Sequence, residues 1–344
     1  MTDPKQQSDA RVSCAACQND SRLLWKARDL NRHASNEEFG YYLCRSCGIL
    51  YLSPIPLDLD RYYDKKHSSY AIPRSVEELR AQGEGFKPRL AIINRFAATG
   101  RLLDVGASHG TFSYLAQQNG FEVEAVEMDS ASCRFIRELG IKAVCASTLD
   151  SAESLLGTYD VITLFHVIEH LKDASKTVSI LARHLSARGI LVISTPNPDS
   201  IQFKMLGRYW VNLDAPRHLV LIPLRTLTEY ATQNGLELAY ATSSDAETLA
   251  FSKWSWEESI SNFLISAGMM PALGMRSAMT ETNTWSFTKL LVLMQRFVGK
   301  AAAIGMAWLL NLVFTPWERS PRRGSSYTAV FRRKDHATPA KSCG

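Results

Sequence analysis

The chain has 344 residues, of which 46% are hydrophobic and 21% charged, and its formal net charge is +5. This composition excludes an intrinsically disordered protein, and the length suffices for a full core with attachments. The basic residues form no stripe along most of the chain, so we expect no nucleic-acid partner. The one basic cluster, between 319 and 334, is predicted to face anionic groups.

The chain opens on MTDPKQQSDARVS, which is polar and has no apolar stretch typical of a secretory signal. We therefore expect a cytoplasmic protein, with attachment to the inner face of the membrane left open. In a reducing compartment, paired cysteines favour a metal site over disulfides.

Four of the seven cysteines form two C-x-x-C pairs near the start of the chain: Cys14, Cys17, Cys44 and Cys47. Four thiolates in this pattern can complete a tetrahedral Zn²⁺ shell. The 26 residues between the pairs exceed the roughly 15 to 20 of a minimal zinc ribbon, so the intervening loop is larger. We predict a structural zinc site in a zinc-ribbon-like unit. A redox role is disfavoured because no βαβ pattern surrounds either pair.

Short apolar strands alternate with helices from residue 101 onwards. The predicted strands are RLLDV (101–105), EVEAVE (122–127), IKAVC (141–145), YDVITLF (159–165), ILVIST (190–195), LELAYA (236–241) and SSYTAVFRR (325–333). The predicted helices are TFSYLAQQNG (111–120), SASCRFIRELG (130–140), ASKTVSILARHLSARG (174–189) and LRTLTEYATQNG (224–235). This alternation predicts an α/β, Rossmann-like fold with a mostly parallel sheet covered by helices on both faces.

An apolar, helical insert at 245–322 separates the last strand from the others. Its longest uncharged run, 301–317, is short for a helix that spans a bilayer. The basic residues Arg296, Lys300 and Arg319 flank apolar runs, as in an interfacial helix. Three interpretations stay open: peripheral membrane contact through 255–318, a helical cap over the active site, or a subunit interface such as that of a homodimer.

The stretch LLDVGASHGTF joins a strand to a helix at the place where α/β sheets bind ligands. Glu127 ends the next predicted strand, where a carboxylate can accept hydrogen bonds from two ribose hydroxyls. A dinucleotide site requires G-x-G-x-x-G, whereas Gly106 and Gly110 lie four residues apart. Asp104 would suit a cationic ligand better than a phosphate. The sequence therefore predicts S-adenosylmethionine (SAM) and disfavours a nicotinamide-dependent oxidoreductase.

Residues 101–240 resemble the class I SAM-dependent methyltransferases in LDVGASHGTF, VEAVEMDSASCRFIRELGI, YDVITLFHVIEHLKD and GILVISTPNPDS. Within that class the chain resembles a bacterial group with H-x-x-E-H-L after the fourth strand and PRHL further on, here 216–219. It is also similar to nucleotide-sugar methyltransferases that carry a small zinc-binding unit ahead of this fold. The resemblance implies a seven-stranded sheet whose last strand is antiparallel. Ser108 departs from the pattern, since the family has its middle glycine there.

The resemblance also implies a role for each matching residue. Asp104 would help to anchor the methionine amino group, directly or through water, and Glu127 would hold the ribose. Met128 would flank the adenine, and Phe165 would lie beside the reactive methyl group. The full set of predicted cofactor-binding residues is Asp104, Gly106, Ser108, Gly110, Glu127, Met128, Thr148 and Phe165.

The spacing H-x-x-E-H occurs at His166, Glu169 and His170, and as a bare pattern it is that of the inverted zinc peptidases. Such a site needs both histidines one turn apart on one helix. Because YDVITLF ends at 165, His166 is predicted at a strand–helix turn, which disfavours a peptidase. Quinone O-methyltransferases have a similar LEH here, and this resemblance implies a divalent cation at Glu169 and His170. The alternative is a structural hydrogen bond and a capping carboxylate.

Methyl transfer to an oxygen or carbon acceptor requires removal of a proton, and histidine titrates in the useful range. His166 is the first candidate base, because it follows the fourth predicted strand. His218 is the second, because the loop containing APRHL follows the fifth strand and could close over the acceptor.

Three functions remain in competition. The leading one is a SAM-dependent methyltransferase acting on an O or C atom of a glycan, a nucleotide sugar or a lipid-linked intermediate. The second is the same chemistry on a quinone-like hydrophobic small molecule. The third is a zinc-ribbon adaptor whose SAM fold is catalytically idle.

The predicted organisation divides the chain into seven parts. They are a disordered tail (1–12), the zinc-ribbon-like unit (13–55), a helical connector (56–99), the SAM-binding core (100–244), the apolar insert (245–322), the final core strand (323–335) and a tail (336–344).

Overall fold

The computed structural model describes residues 12–14, 16–63, 72–270 and 287–334. Within these ranges the side chains of 287–293 and Arg296 are not described. The tails predicted at 1–12 and 336–344, residue 12 apart, and the middle of the apolar insert lie outside the described residues.

Strands occur throughout the described chain. They are β1 (Val12–Ser13), β2 (Asp20–Ala27), β3 (Phe39–Cys44), β4 (Leu50–Leu52), β5 (Gly100–Val105), β6 (Phe121–Glu127), β7 (Lys142–Cys145), β8 (Tyr159–Phe165), β9 (Leu185–Pro196), β10 (Val220–Leu221), β11 (Leu236–Thr242) and β12 (Ser326–Arg333).

Helices separate most of these strands from β5 onwards. They are α1 (Val76–Gly83), α2 (Lys87–Ile93), α3 (Thr111–Gln118), α4 (Ser130–Glu138), α5 (Leu149–Ala152), α6 (Ala174–Arg183), α7 (Ile201–Leu206), α8 (Leu224–Gln233), α9 (Ala246–Ser266) and α10 (Phe287–Glu318). A short 3₁₀ helix at Ile168–His170 follows β8.

Seven strands form the larger sheet in the order β11-β12-β9-β8-β5-β6-β7. The pairs β9–β8, β8–β5, β5–β6 and β6–β7 are parallel, whereas β12 is antiparallel to both of its neighbours. The predicted fold class, including the reversed last strand, is therefore confirmed.

The sheet is covered on both faces, and the side chains of β8 show how. Ile162 and Leu164 point into one hydrophobic cluster, whereas Val161 and Phe165 point into the other. All four are buried. A strand that buries both faces is apolar at successive positions, and 161–165 is apolar except at Thr163, whose Oγ1 donates to Asp104 Oδ1 (2.9 Å).

Helix α6 ends earlier than the sequence pattern predicts. The predicted helix 174–189 stops at Arg183, and β9 begins at Leu185. The N–H of Tyr159 donates to the carbonyl of His184 (2.9 Å), and Tyr159 pairs with Leu185. Strand pairing with β8 therefore begins two residues after the helix ends. The amphipathic pattern of the sequence does not reveal that residues 185–189 pair as a strand and do not continue the helix.

A second, five-stranded sheet has the order β1-β2-β3-β4-β10. Its last strand, β10, follows the PRHL stretch directly and pairs antiparallel with β4, Val220 opposite Tyr51. A side chain adds to this contact, since Thr226 Oγ1 on α8 donates to the carbonyl of Cys47 (2.5 Å). The strand that directly follows the loop with His218 is thus part of the same sheet as the N-terminal strands.

Candidate functional site

The predicted cofactor residues begin at the carboxyl edge of β5, where the chain turns into α3. The N–H of Gly106 donates to the carbonyl of Val126 (2.8 Å), which holds the turn against β6. Gly106 has φ +72°, and a Cβ there would lie 2.4 Å from Cγ2 of Val167. Only glycine fits this position, because both the backbone angle and the space exclude a side chain.

Ser108, the departure from the family pattern, lies in the left-handed region with φ +52°. A non-glycine residue there costs roughly 1–2 kcal/mol relative to its relaxed conformation. Its N–H donates to Glu127 Oε2 (2.8 Å). The turn thus keeps the conformation that a glycine would favour, and the hydrogen bond to Glu127 offsets part of the strain.

Glu127 closes β6, and its buried carboxylate is held by backbone N–H groups. Oε1 accepts from the N–H of Met128 (2.8 Å) and of Asp129 (2.9 Å), and Oε2 accepts from Ser108. A carboxylate has about four acceptor positions, so about one remains for another donor. The side chain is fixed in place before any ligand arrives.

Asp104, in β5, is buried below the surface of the candidate cofactor site. Its carboxylate accepts from Ser113 Oγ (2.7 Å) and from Thr163 Oγ1 (2.9 Å) and is buried. Burial raises its pKa above the usual value. Its observed contacts tie α3 and β8 to β5. The role in anchoring a methionine amino group stays a prediction.

Three further predicted residues lie on neighbouring segments. Met128 is 65% exposed beside Glu127. Thr148 caps α5, with its Oγ1 accepting from the N–H of Ser151 (3.2 Å). Phe165, at the end of β8, makes an edge contact with Phe112 (4.9 Å between ring centroids). The structure thus brings the predicted set to the carboxyl edge of four adjacent strands.

His166 lies immediately after β8, outside regular helix, as predicted. Its φ is +57°, and its N–H donates to the carbonyl of Ser194 (2.9 Å). A positive φ is uncommon outside glycine, and the hydrogen bond to Ser194 holds His166 in this conformation. The ring is half-buried, with its centroid 5.1 Å from that of Phe251 on α9. The insert therefore forms one wall next to this candidate base.

Glu169 is the centre of a second group of polar side chains. It is fully buried, its Oε2 accepts from Thr195 Oγ1 (3.0 Å), and its Oε1 lies 3.4 Å from His166 Nδ1. Burial opposes its ionisation, but the interaction with His166 Nδ1 holds its pKa at about 2. An ionised carboxylate thus lies within the protein next to His166.

Two histidines complete this group, and backbone carbonyls select their tautomers. His170 Nδ1 lies 3.0 Å from the carbonyl oxygen of Arg217, and His218 Nδ1 lies 2.7 Å from that of Asn212. A carbonyl can only accept, so each Nδ1 carries a proton, and in the neutral ring the lone pair is then on Nε2. Burial, with the nearby His218, lowers the pKa of His170 to about 4.

Glu169, His170 and His218 therefore bring three potential electron-pair donors close together. One ligand atom from each lies within 4.8 Å of the others. A neutral histidine held by a carbonyl at Nδ1 is the usual form of a metal ligand. The sequence prediction named Glu169 with His170 and placed His218 elsewhere as a base, whereas the structure brings all three together.

The carbonyl that holds His170 belongs to a fully buried arginine. Arg217 donates to both oxygens of Asp29 (2.8 and 3.2 Å) and to both oxygens of Asp214 (2.6 and 2.9 Å). A fifth bond goes to the carbonyl of Tyr62 (3.1 Å). Asp214 keeps a pKa well below its usual range because the pairing with Arg217 outweighs burial. Two acids therefore balance one buried cation.

The four N-terminal cysteines converge, as their spacing predicted. The Sγ atoms of Cys14 and Cys47 are 3.7 Å apart, and those of Cys17 and Cys44 are 3.4 Å apart. Four sulfurs about 2.3 Å from a tetrahedral Zn²⁺ would be separated by about 3.8 Å. Burial raises the pKa of the Cys14 thiol, so this sulfur favours the thiolate only beside a cation.

Sequence reasoning missed four charged residues near the site: Asp29, Arg89, Asp214 and Glu247. Arg89 on α2 lies over the Phe165 ring, 4.5 Å from its centroid, and its Nε donates to Glu247 Oε2 on α9 (2.8 Å). The Arg89–Glu247 pair and the Asp29–Arg217 pair each join residues more than 150 positions apart in the chain, so no local sequence pattern indicates either pair. Only the APRHL stretch gave a signal, and it drew attention to His218 rather than to Arg217.

Residues 77–241 match the family model described as a methyltransferase domain. The matched segment contains β5 to β9, the loop at Gly106, and both histidine candidates. The match covers just under half of the chain, and the sheet order is the one expected from the resemblance to class I SAM-dependent methyltransferases, in agreement with the predicted enzyme class. The H-x-x-E-H-L grouping and the zinc-ribbon assignment stay predictions.

Curated relatives and solved structures are similar to parts of the chain. The "Ubiquinone biosynthesis O-methyltransferase" of Bordetella avium is 30% identical over 151 residues, 40% of this chain and 62% of the relative. The protein of the same name from Aromatoleum aromaticum is 26% identical over 54% of this chain and 83% of the relative. The first alignment thus spans less than two thirds of the relative's length. A SAM-dependent methyltransferase from Archaeoglobus fulgidus is 17% identical, with a TM-score of 0.43 over 75% of this chain and 97% of that one.

Asp29→Asn should destabilise the protein by about 1.5–3 kcal/mol, because an amide offers one acceptor oxygen in place of the two charged oxygens that accept from the buried Arg217. Urea unfolding followed by circular dichroism measures the change. The matched control is Glu38→Gln, which removes an exposed partner of Arg28 and should change stability by less than about 1 kcal/mol. Equal stability of the two variants would contradict the role given to Asp29.

Proposed function

We propose that this protein transfers a methyl group from SAM to a hydroxyl oxygen of a hydrophobic small molecule. The observation that carries the proposal is the fixed Glu127 carboxylate facing the glycine turn of a methyltransferase domain, with His166 on the adjacent strand end. The proposal combines a cofactor site, a proton acceptor and an acceptor class, and the support for each is separate.

The cofactor residues fit SAM in charge and in shape. Glu127 has an acceptor position left for a ribose hydroxyl, and the turn at Gly106 lets a ligand approach the backbone. Met128 and Thr148 would border the adenine, and Phe165 would lie near the sulfonium. When bound, SAM supplies a methyl group already activated by the positive sulfur, so the protein has mainly to align the acceptor and exclude water.

His166 is proposed as the base that takes the proton of the acceptor hydroxyl. Its Nδ1 lies 3.4 Å from the ionised Glu169, which would stabilise the imidazolium that forms. Its half-buried ring faces Phe251, so the acceptor would bind between β8 and α9. His218 is the less suitable base, because its Nδ1 is held by a carbonyl and its ring is buried.

The hydrophobic acceptor class has more support than the glycan class. The matched relatives are named for ubiquinone biosynthesis, at 26–30% identity. Phe165 and Phe251 give the space around His166 an aromatic lining, which suits an apolar acceptor better than a sugar. A lipid-linked glycan remains the second candidate, and the apolar insert would accommodate it.

A divalent cation is proposed at Glu169, His170 and His218. The group has a buried, ionised carboxylate and two Nε2 lone pairs, an arrangement rich in acceptors and poor in donors. A cation offsets that imbalance, and mixed N and O ligands suit several first-row metals. When bound, it would supply Lewis acidity that polarises an acceptor hydroxyl.

Zinc is proposed at Cys14, Cys17, Cys44 and Cys47. The sulfur separations and their burial fit a closed, structural shell with no position open for catalysis. Such a site would fix β3 and β4, and through β10 it would support the loop that carries His218.

Glu127→Gln should weaken binding of S-adenosylhomocysteine by about 10- to 100-fold, because a charged hydrogen-bond acceptor becomes neutral. Isothermal titration calorimetry measures the affinity. Glu122→Gln on the same strand, with its side chain 78% exposed, is the control and should bind as the wild type does.

Methyl-labelled SAM with fractionated lysate then tests the transfer itself. Label should enter an apolar, small-molecule fraction and remain alkali-stable as an ether. His166→Gln should slow transfer by about 10²- to 10⁴-fold while binding S-adenosylhomocysteine normally. Tight cofactor binding without label in any fraction would favour the idle adaptor, and label in polysaccharide would favour the glycan acceptor.

Mn²⁺ should bind to the wild type and bind at least about tenfold more weakly to His218→Asn. Electron paramagnetic resonance of free Mn²⁺ measures this without any turnover, and Mn²⁺ prefers these ligands to thiolates. His184→Asn is the matched control, because His184 Nδ1 is also held by a carbonyl, that of Gly157 (2.7 Å). Equal Mn²⁺ affinity in all three proteins would refute the cation site.

Purified protein should contain about one zinc ion per chain by plasma mass spectrometry. Cys44→Ser should lower that content and the melting temperature together, because metal binding contributes directly to folding. Cys145→Ser changes an exposed cysteine outside the cluster and serves as the control. A wild type free of zinc after metal-replete expression would overturn the proposal.

A further inference from the structure

Helix α10 packs against α9 through one narrow stripe. The small buried residues along it are Gly299, Ala303 and Ala307, four residues apart, and the two alanines share a hydrophobic cluster with Trp256 and Ile260 on α9. A Cβ at Gly299 would lie 2.9 Å from Cγ of Met270. Further along, Phe314 stacks on Trp256 (5.8 Å between ring centroids) and the buried Glu318 accepts from Ser252 Oγ (2.9 Å), so the contact with α9 follows one side of α10.

The remainder of α10 is apolar and exposed. Between Lys300 and Glu318 the sequence contains no charged residue. The exposed large apolar side chains are Met294, Phe297, Val298, Ile304, Met306, Trp308, Leu309, Leu312, Val313 and Trp317. A helix apolar on all sides belongs in a protein core or in lipid, and a patch of this size on a water-facing surface indicates a binding site.

The segment Phe297–Glu318 is long and apolar enough to cross a membrane, with a mean hydropathy of 1.7, and 17% of its most apolar window is buried. The packing of α9 favours a helix that lies flat instead. Along its length α9 bonds to the core: Ser252 to Gln202 (2.9 Å), Ser255 to Asn212 (3.0 Å) and Ser259 to Val211 (2.9 Å). Because α10 packs along α9, it runs beside the core surface, which a spanning helix could not do.

The exposed face of α10 has few polar groups, so it suits lipid acyl chains better than a protein partner. The polar side chains between 301 and 317, apart from the tryptophan N–H groups, are Asn311 and Thr315, and Thr315 Oγ1 donates to Asn311 Oδ1 (3.2 Å). Both are half-buried. Protein interfaces carry about one hydrogen bond per 100–200 Å² and a polar rim, whereas acyl chains require only that backbone groups be satisfied.

The charges at the end of α10 complement an anionic lipid surface. Arg319, Arg322 and Arg323 follow the helix directly and are exposed. Trp317 precedes them and Trp308 lies two and a half turns earlier, both exposed. Tryptophan side chains prefer the headgroup region, and each arginine near an anionic leaflet contributes about 1 kcal/mol.

We propose that α10 lies in the interfacial region of an anionic membrane, with α9 between the lipid and the methyltransferase core. The inference rests on the surface of α10 and is independent of which acceptor is methylated.

Flotation of the full chain with vesicles tests the proposal. The wild type should float with vesicles of phosphatidylcholine and phosphatidylglycerol, and more weakly with phosphatidylcholine alone. The double substitution Trp308→Glu, Leu312→Glu should reduce the bound fraction at least about tenfold, because it places two charges in the apolar layer. The matched control Leu57→Glu, Leu155→Glu changes two exposed apolar residues elsewhere and should float as the wild type does.

A second variant and one solution measurement separate the alternatives. Arg319→Gln with Arg322→Gln and Arg323→Gln should abolish the preference for anionic vesicles. Absence of wild-type flotation would overturn the proposal, as would unchanged flotation of the α10 variant. Light scattering in lipid-free buffer gives the third overturning result: a wild-type dimer that Trp308→Glu, Leu312→Glu converts to a monomer, without any vesicle binding, makes this face a contact between copies. Binding of S-adenosylhomocysteine should be unchanged in every variant, so failure here leaves the proposed activity intact.

Discussion

A guanidinium buried away from solvent needs anionic partners, and the carboxylates that pair with Arg217 constrain the rest of the site. Its charge is shared by Asp29, in the loop after β2, and Asp214, three residues before it. Separating the N-terminal strands from the loop before β10 would break two charge-assisted hydrogen bonds between Arg217 and Asp29, so it is costly. The β4–β10 pairing adds a backbone link between the same two parts. The N-terminal strands are thus part of the structure that supports the site.

Much of the methyltransferase core could be predicted from sequence, because its determinants are local. Buried parallel strands must be continuously apolar, and the turn at Gly106 has its own spacing, so both are visible in a short window. The meeting of His218 with Glu169 and His170 could not be predicted, since it depends on how the 46 residues between His170 and Arg217 fold. The end of α6 was missed for a similar reason, because strand pairing decided it. Local sequence patterns determine the strands and helices, whereas contacts between residues far apart in the chain determine which side chains meet in the site.

Helix α9 separates two environments, and its composition follows from that position. Its serines at 252, 255 and 259 bond to the core, while Trp256 and Ile260 pack against α10. Phe251 extends from the same helix to His166. An acceptor next to His166 would therefore touch the helix that also supports the exposed apolar face. A hydrophobic acceptor and an apolar surface are separate proposals, but they share this one helix.

The chemical state of the site follows from backbone geometry. His170 and His218 each donate an Nδ1 proton to a backbone carbonyl, that of Arg217 or that of Asn212, which places the lone pair of the neutral ring on Nε2. Those carbonyls lie in the loop that Arg217 anchors to Asp29. Asp29 holds Arg217, and the carbonyl of Arg217 holds His170 Nδ1, so the buried acid is linked to the position of one site histidine by two successive contacts.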